Sequence, residues 1–419
     1  MATKYLPILL RHSPTPKVEH FAVLAGLDAC VRGMLISVMP LVIYDAVLDA
    51  GVVSRIYFVA GVVSLIWGLM VPWITGKVPR RWVYSFGALL YPVGMVFAIL
   101  GGPVMVPLSL MCNAMATVTV FVCLNAYVLD YVARADLGRG QSLQMVYAAT
   151  PWMAGPLLGV WLHHLWAPLP FIAAAVFSLC MLTAFWILRL GNGKQISRAK
   201  KQAVNPVAFL SRFFQQPRLI AGWFFAVIRS CGWWVYVVYL PIFCVEAGLG
   251  DKIGGMVLSA SNSLLFISPF MLRFATKTSL RRVMRVTLFW CAVTFILATA
   301  ASPLPWVTVV LLSLGSIGLV MLDATGGLPF MMSVKPSERS EMAAVYSSFR
   351  DVSGIATPGV AYLVLLAAPL AAIFAASGVG FAIAFAIAGY MHPRLGTARP
   401  SHGGAVRVGV GVSPASVAQ

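Results

Sequence analysis

Long apolar runs alternate with short polar turns along the whole chain. The first run, about residues 21–44, has the length and composition of a membrane-spanning helix. Further runs follow near 56–75, 82–100, 104–129, 143–162 and 170–188. A second set lies near 219–245, 254–275, 284–301, 305–332, 342–366 and 368–391. The pattern predicts an all-α membrane protein with twelve transmembrane helices. Two six-helix bundles, 21–188 and 219–391, flank a basic linker at 189–218; segment 1–20 precedes them and a Gly-, Pro- and Ser-rich tail, 392–419, expected to be disordered, follows.

Composition supports the pattern: 60% of the 419 residues are hydrophobic and 10% are charged, a balance that soluble domains do not have. The apolar run in the first twenty residues is too short for a signal-peptide core, so no cleaved signal is expected. The net charge of +18 would suggest nucleic acid, but 25 of the 30 Lys and Arg fall at one set of alternate helix boundaries. This positive-inside bias places both termini in the cytoplasm and makes the charge a topology signal. No nucleic-acid partner is expected; the lipid bilayer is, with the chain as a monomer, and the balance fits a bacterial inner membrane. The seven cysteines lie in apolar runs without paired short spacing, which argues against a disulfide framework and a zinc site.

An internal repeat links the halves. An offset of 197 carries Arg32 onto Arg229, Gly51 onto Gly248 and Pro72 onto Pro269; later the offset drifts to about 200, pairing Arg139 with Arg339. Two six-helix halves in parallel repeat are the design of one large transporter class.

Charges inside the runs are costly unless they meet a partner or a wet cavity. Asp28 and Arg32 are four apart on one helix face, about 10 and 16 Å into the first run. They read either as a packing ion pair that neutralises itself or as a substrate- or proton-handling pair. Arg229 lies about 15 Å into the seventh run; it reads either as a helix anchor or, with Arg32, as half of an anion clamp. Asn113 is the polar group at similar depth in the fourth run. Arg350 and Asp351, neighbours on the eleventh, point about 100° apart and read as interhelical contacts with separate partners. Asp323 reads as a group at the cytoplasmic rim, open to a gating role. Tyr236, with Trp233, Trp234 and Tyr239, reads either as a substrate-stacking group or as part of an interfacial belt. Asn262 with Ser259, Ser261 and Ser263 reads as polar glue between helices.

The turn Pro72-Trp-Ile-Thr-Gly-Lys77-Val-Pro-Arg80-Arg81 is similar to the loop motif Gly-x-x-x-Asp-Arg-x-Gly-Arg-Arg. Lys77, Arg80 and Arg81 stand at its basic positions, Gly76 at its acid, and Pro72 and Pro79 at its glycines. In the fifth run, Gly155-Pro156-Leu157-Leu158-Gly159 resembles the Gly-Pro-x-x-Gly motif of drug/proton antiporters. Gly155 and Gly159 permit close helix approach, and Pro156 frees a carbonyl and kinks the run.

These motifs, the twelve runs and the basic central linker resemble the major facilitator superfamily over about residues 15–392. The resemblance implies rocking of two bundles around a midplane site lined by the first, fourth, seventh and tenth helices. It implies gating or conformational roles for Lys77, Arg80, Arg81, Gly155, Pro156, Gly159, Asp323, Arg350 and Asp351. The expected function is proton-coupled export of a small organic compound, anionic or zwitterionic, with no cofactor besides the coupling proton. The alternatives are uptake of an anionic metabolite or metal chelate, and a transport-inactive scaffold or sensor. No Walker sequence, nucleophile elbow or HExxH occurs, so ATP-driven transport and hydrolysis have no motif here.

Overall fold

The computed structural model describes residues 18–131, 137–188, 211–267, 279–334, 342 and 345–391. The segment 1–17, most of the linker, Pro269, Arg339 and the tail lie outside the described residues, as does the side chain of Arg139. No strand occurs among the described residues. Helix is what an apolar chain in lipid must form, because every backbone donor and acceptor is then satisfied within its own segment.

The first half holds α1 (Val18–Val47), α2 (Ala50–Lys77), α3 (Arg80–Leu100), α4 (Gly102–Tyr131), α5 (Leu137–Leu165) and α6 (Leu169–Ile187). The second opens with α7 (Pro217–Glu246), which is α-helical to Trp234, widens into a π-helical turn over Val235–Tyr239 and resumes at Leu240. It continues with α8 (Asp251–Ser263), α9 (Leu280–Ala300), α10 (Pro305–Thr325), α11 (Phe349–Leu365) and α12 (Ala372–Ala388). A short helix, Leu328–Ser333, prolongs α10. Every apolar run thus carries a helix, and among the described residues eight helices are long and apolar enough to cross a membrane.

Each half has its own core. In the first, the buried rings of Tyr84, Tyr91, Phe171 and Phe185 lie together, with Tyr84 and Phe185 stacked 4.2 Å apart. In the second, Phe295, Phe374 and Phe381 hold α9 and α12 together. Between halves, α2 packs on α11 and α5 packs on α8. The sequence repeat carries α2 onto α8 and α5 onto α11, so these are one interface used twice.

The α5 kink shows how the sequence builds that interface. Pro156 has no N–H, so the Trp152 carbonyl one turn earlier loses its helical donor. The Asn262 amide of α8 donates to it at 2.8 Å, and Ser259 Oγ accepts from the Leu157 N–H at 2.9 Å. On the other side of α5, Ser37 donates to the Pro156 carbonyl at 2.8 Å. Gly155 and Gly159 lie against α1 so closely that a Cβ on Gly155 would stand 2.5 Å from the Gly33 carbonyl carbon. The motif therefore locks α5 to α1 and offers its freed carbonyl to the other half.

α1, α3 and α5 all start at the end of the molecule that carries the basic turns, the basic end. At the opposite end the halves are clasped. Ile43, Val53 and Tyr57 pack into the second half's core, Ser54 and Tyr239 share a hydrogen bond of 2.9 Å, and His164 lies 3.7 Å from Asp251.

Candidate functional site

Two arginine–aspartate pairs face the middle of the molecule. Asp28 and Arg32 lie about 15 and 21 Å along α1. Their i, i+4 spacing brings Arg32 Nη1 to 3.4 Å from Asp28 Oδ2. The other carboxylate oxygen, Oδ1, accepts a 2.9 Å hydrogen bond from the hydroxyl of Tyr91 on α3. That hydroxyl has spent its only proton on Asp28, so the 2.9 Å contact between Tyr91 and Thr117 of α4 is donated by Thr117. The result is a relay from Thr117 to Tyr91 to Asp28.

In the second half Arg229 lies about 18 Å along α7. Its Nε is 3.1 Å from Asp323 Oδ1 on α10, and the Trp233 indole donates to Asp323 Oδ2 at 2.8 Å. The Arg229 Nε–H points off the carboxylate and makes no hydrogen bond, so the pair is held by charge more than by direction. Asp323 does not stand at the rim where the sequence reading put it. The helical path continues past Thr325 to Ser333, and this places Asp323 level with Arg229.

A third guanidinium completes the site. Arg350 of α11 sits 5.7 Å from the Phe349 ring and 5.6 Å from the Phe121 ring of α4, so it reaches from one half to the other. Arg229 lies over the same Phe349 ring at 5.2 Å. Arg350 makes no ion pair among the described residues, and its neighbour Asp351 is exposed. Arg32 in turn covers Trp152 of α5 at 5.2 Å. Each of the three guanidinium carbons thus lies within cation–π range of an aromatic ring.

These charged side chains keep some accessible surface although they lie well along their helices. The side chains of Arg32 and Asp323 are 36% and 32% exposed, while Asp28 and Arg229 are each 14% exposed.

Asn113 stands one turn from Thr117 on α4, 8% exposed, with neither amide atom hydrogen-bonded. Tyr236 is fully buried in the π-helical turn and its hydroxyl bonds Ser261, which also accepts from Ser316 at 3.0 Å. Its side chain lies within the second half's core. At the basic turn, Lys77 covers Trp73 at 3.8 Å and Arg80 covers Tyr127 at 5.2 Å, while Arg81 lies 6.0 Å from Trp82. Tyr91, Trp152, Phe121 and Phe349 belong to the site and carry no sequence signal beyond being aromatic in apolar runs. No group of His, Cys, Asp and Glu among the described residues is arranged to hold a metal ion.

Comparison with known proteins agrees with this architecture. The chain resembles the crystal structure of the nucleoside transporter NupG at a TM-score of 0.72 and 15% identity, covering 90% of this chain and 99% of that one. It resembles a peptide transporter, POT, in complex with sulfate at 0.71 and 13%, covering 90% and 94%. A D-xylose-proton symporter follows at 0.67 and 10%, covering 90% and 97%. At these identities the likeness shows the fold. No curated protein matches the sequence. The family model described as Major Facilitator Superfamily matches residues 21–358, and this chain belongs to that superfamily of membrane transporters.

Proposed function

We propose that the chain is a secondary carrier for an organic anion, or a zwitterion bound through its acidic group, working by alternating access around the three arginines. The observation that carries this reading is that Arg229 and Arg350 share the Phe349 ring, that Arg350 also reaches Phe121 of the first half, and that Arg32 of that half lies against Trp152. Guanidinium groups suit a carboxylate or phosphate, and in a low-dielectric interior such contacts are far stronger than in water. The rings favour a substrate with a flat apolar part. Asn113, with its free amide one turn from Thr117, supplies a neutral hydrogen-bonding group.

Asp28 is the proton-handling group in this reading. Ionised, it competes with the substrate for Arg32. A proton on Asp28 therefore favours anion binding, which by itself couples the two in the same direction and supports the uptake alternative, while the Gly155-Pro156-x-x-Gly159 motif supports export. Because Asp323 is held by the Trp233 indole as well as by Arg229, the second half serves as the fixed side of the site. The clasp between the halves at the end away from the basic turns supports a state open toward the basic end, which the charge bias assigns to the cytoplasm. Export as the direction rests on the Gly155-Pro156-x-x-Gly159 motif.

The test is an untargeted comparison of metabolites in cells and medium, with the intact protein set against Asp28→Asn and Arg32→Ala at matched membrane levels. An acidic compound enriched in the medium only with the intact protein supports the proposal. Enrichment inside the cells reverses the direction, and no difference across the panel favours a scaffold or sensor.

A further inference from the structure

The second half carries another basic site, remote from the central cavity. α9 opens at Ser279, whose hydroxyl accepts from the Arg282 N–H, and its first two turns bear Arg281, Arg282 and Arg285 with no acidic residue in the first turn. The amides at a helix start already carry positive partial charge, so three cations there are mutually unfavourable without an anion. None of the three makes an ion pair among the described residues, and Arg285 Nε is buried without a hydrogen-bond partner.

These arginines rim a groove of about 600 Å³ whose floor is apolar. The Arg285 guanidinium lies 4.6 Å over Phe385 of α12, and Phe385 meets Phe289 of α9 at 5.7 Å. Val286 and Phe289 are 63% and 56% exposed, and continue the groove along the flank of α9 toward the middle of the bilayer. Polar cation above and exposed hydrocarbon below is the profile of an amphiphile lying upright. A soluble phosphate would use only the upper half.

We infer that this groove between α9 and α12, at the basic end, binds an anionic phospholipid, with its phosphodiester on Arg281, Arg282 and Arg285 and an acyl chain along Val286 and Phe289. Such a lipid neutralises the helix start and ties α9 to α12 at the membrane surface, where the second half must move as one body. This site is independent of what the central cavity carries.

Native mass spectrometry of the purified full chain tests it, using phosphatidylglycerol and phosphatidylcholine in equal amounts, with soluble glycerol 3-phosphate as a separate probe. The intact protein should retain phosphatidylglycerol selectively. Arg281→Gln/Arg282→Gln/Arg285→Gln should lose that preference by about fivefold for each charge removed, the effect of one basic residue at an anionic surface. Arg285→Gln alone, with the other two kept, should lose about fivefold and carries the test if the triple variant does not fold. Equal retention of the two lipids by the intact protein, or an unchanged preference in the variants, overturns the proposal. Glycerol 3-phosphate bound as tightly as the lipid overturns the assignment to a lipid.

Discussion

Arg32 and Arg229 occupy equivalent places in the two halves, 197 residues apart, but their carboxylate partners come from different places. Arg32 pairs with Asp28 one turn away on the same helix, at 3.4 Å, and Asp28 takes its second bond from a tyrosine on α3. Arg229 pairs with Asp323 of another helix, at 3.1 Å, under an indole N–H. An intrahelical pair ties nothing together, so either member can change partner while the helices stay where they are. An interhelical pair joins α7 to α10, and losing it affects packing as well as charge. The two halves share the cation and differ in where its anion sits; in the proposed carrier the first half would then be the adjustable side of the site and the second its fixed wall.

Three single variants and one double variant separate these roles. Arg229→Ala should have the largest effect. Breaking a fully buried ion pair costs about 3–5 kcal/mol; with Asp323 32% exposed, screening by water reduces the expected loss to about 2 kcal/mol. Transport should stop and the melting temperature fall. Adding Asp323→Leu removes the stranded charge and should restore the melting temperature without restoring transport. Recovery of transport in that double variant would show the pair to be structural only.

Arg32→Ala comes next. Asp28 keeps the Tyr91 hydroxyl, so the melting temperature should change by no more than about 0.5 kcal/mol would produce. Transport should fall more than about tenfold, the effect of losing one charge-assisted contact of about 1.5–3 kcal/mol. A stability loss as large as that of Arg229→Ala would erase the distinction between the halves. Tyr91→Phe should have the smallest effect, removing one hydrogen bond to a charged group, about 1.5 kcal/mol. Gradient-driven flux should drop while exchange without a gradient persists. Equal loss of both would place Tyr91 in packing instead of in the relay.

The fold was legible because lipid allows so few solutions. Each apolar run had to be a helix, and the basic turns and the 197-residue repeat ordered them into two halves. Asp28, Arg32 and Arg229 were legible for the same reason, since charge in mid-span demands an explanation. What escaped was everything set by contact between distant segments. Asp323 looked like a rim residue because the run around Gly326 and Gly327 gave no sign that the helical path goes on to Ser333. Arg350 was readable as an interhelical contact, but Phe121 on α4 as its partner was not, because depth along α11 says nothing of which helix lies opposite. Tyr91 was one tyrosine among thirteen until α3 was seen against α1. Pro156 was readable as a kink, but Asn262 as the donor to the freed carbonyl was not, because 110 residues separate it from Trp152.

The central claim is that arginines from both halves hold one anion together. Thermal denaturation of the purified protein with a panel of organic carboxylates and phosphates, each beside its neutral analogue, tests it most directly. A ligand at a hundred times its dissociation constant stabilises by about 2.7 kcal/mol, well within reach of the method. The account predicts that at least one acid raises the melting temperature of the intact protein, that its neutral analogue does not, and that Arg32→Ala and Arg229→Ala each abolish the shift. Stabilisation by neutral or cationic compounds alone, or an acid whose effect survives both substitutions, would contradict it.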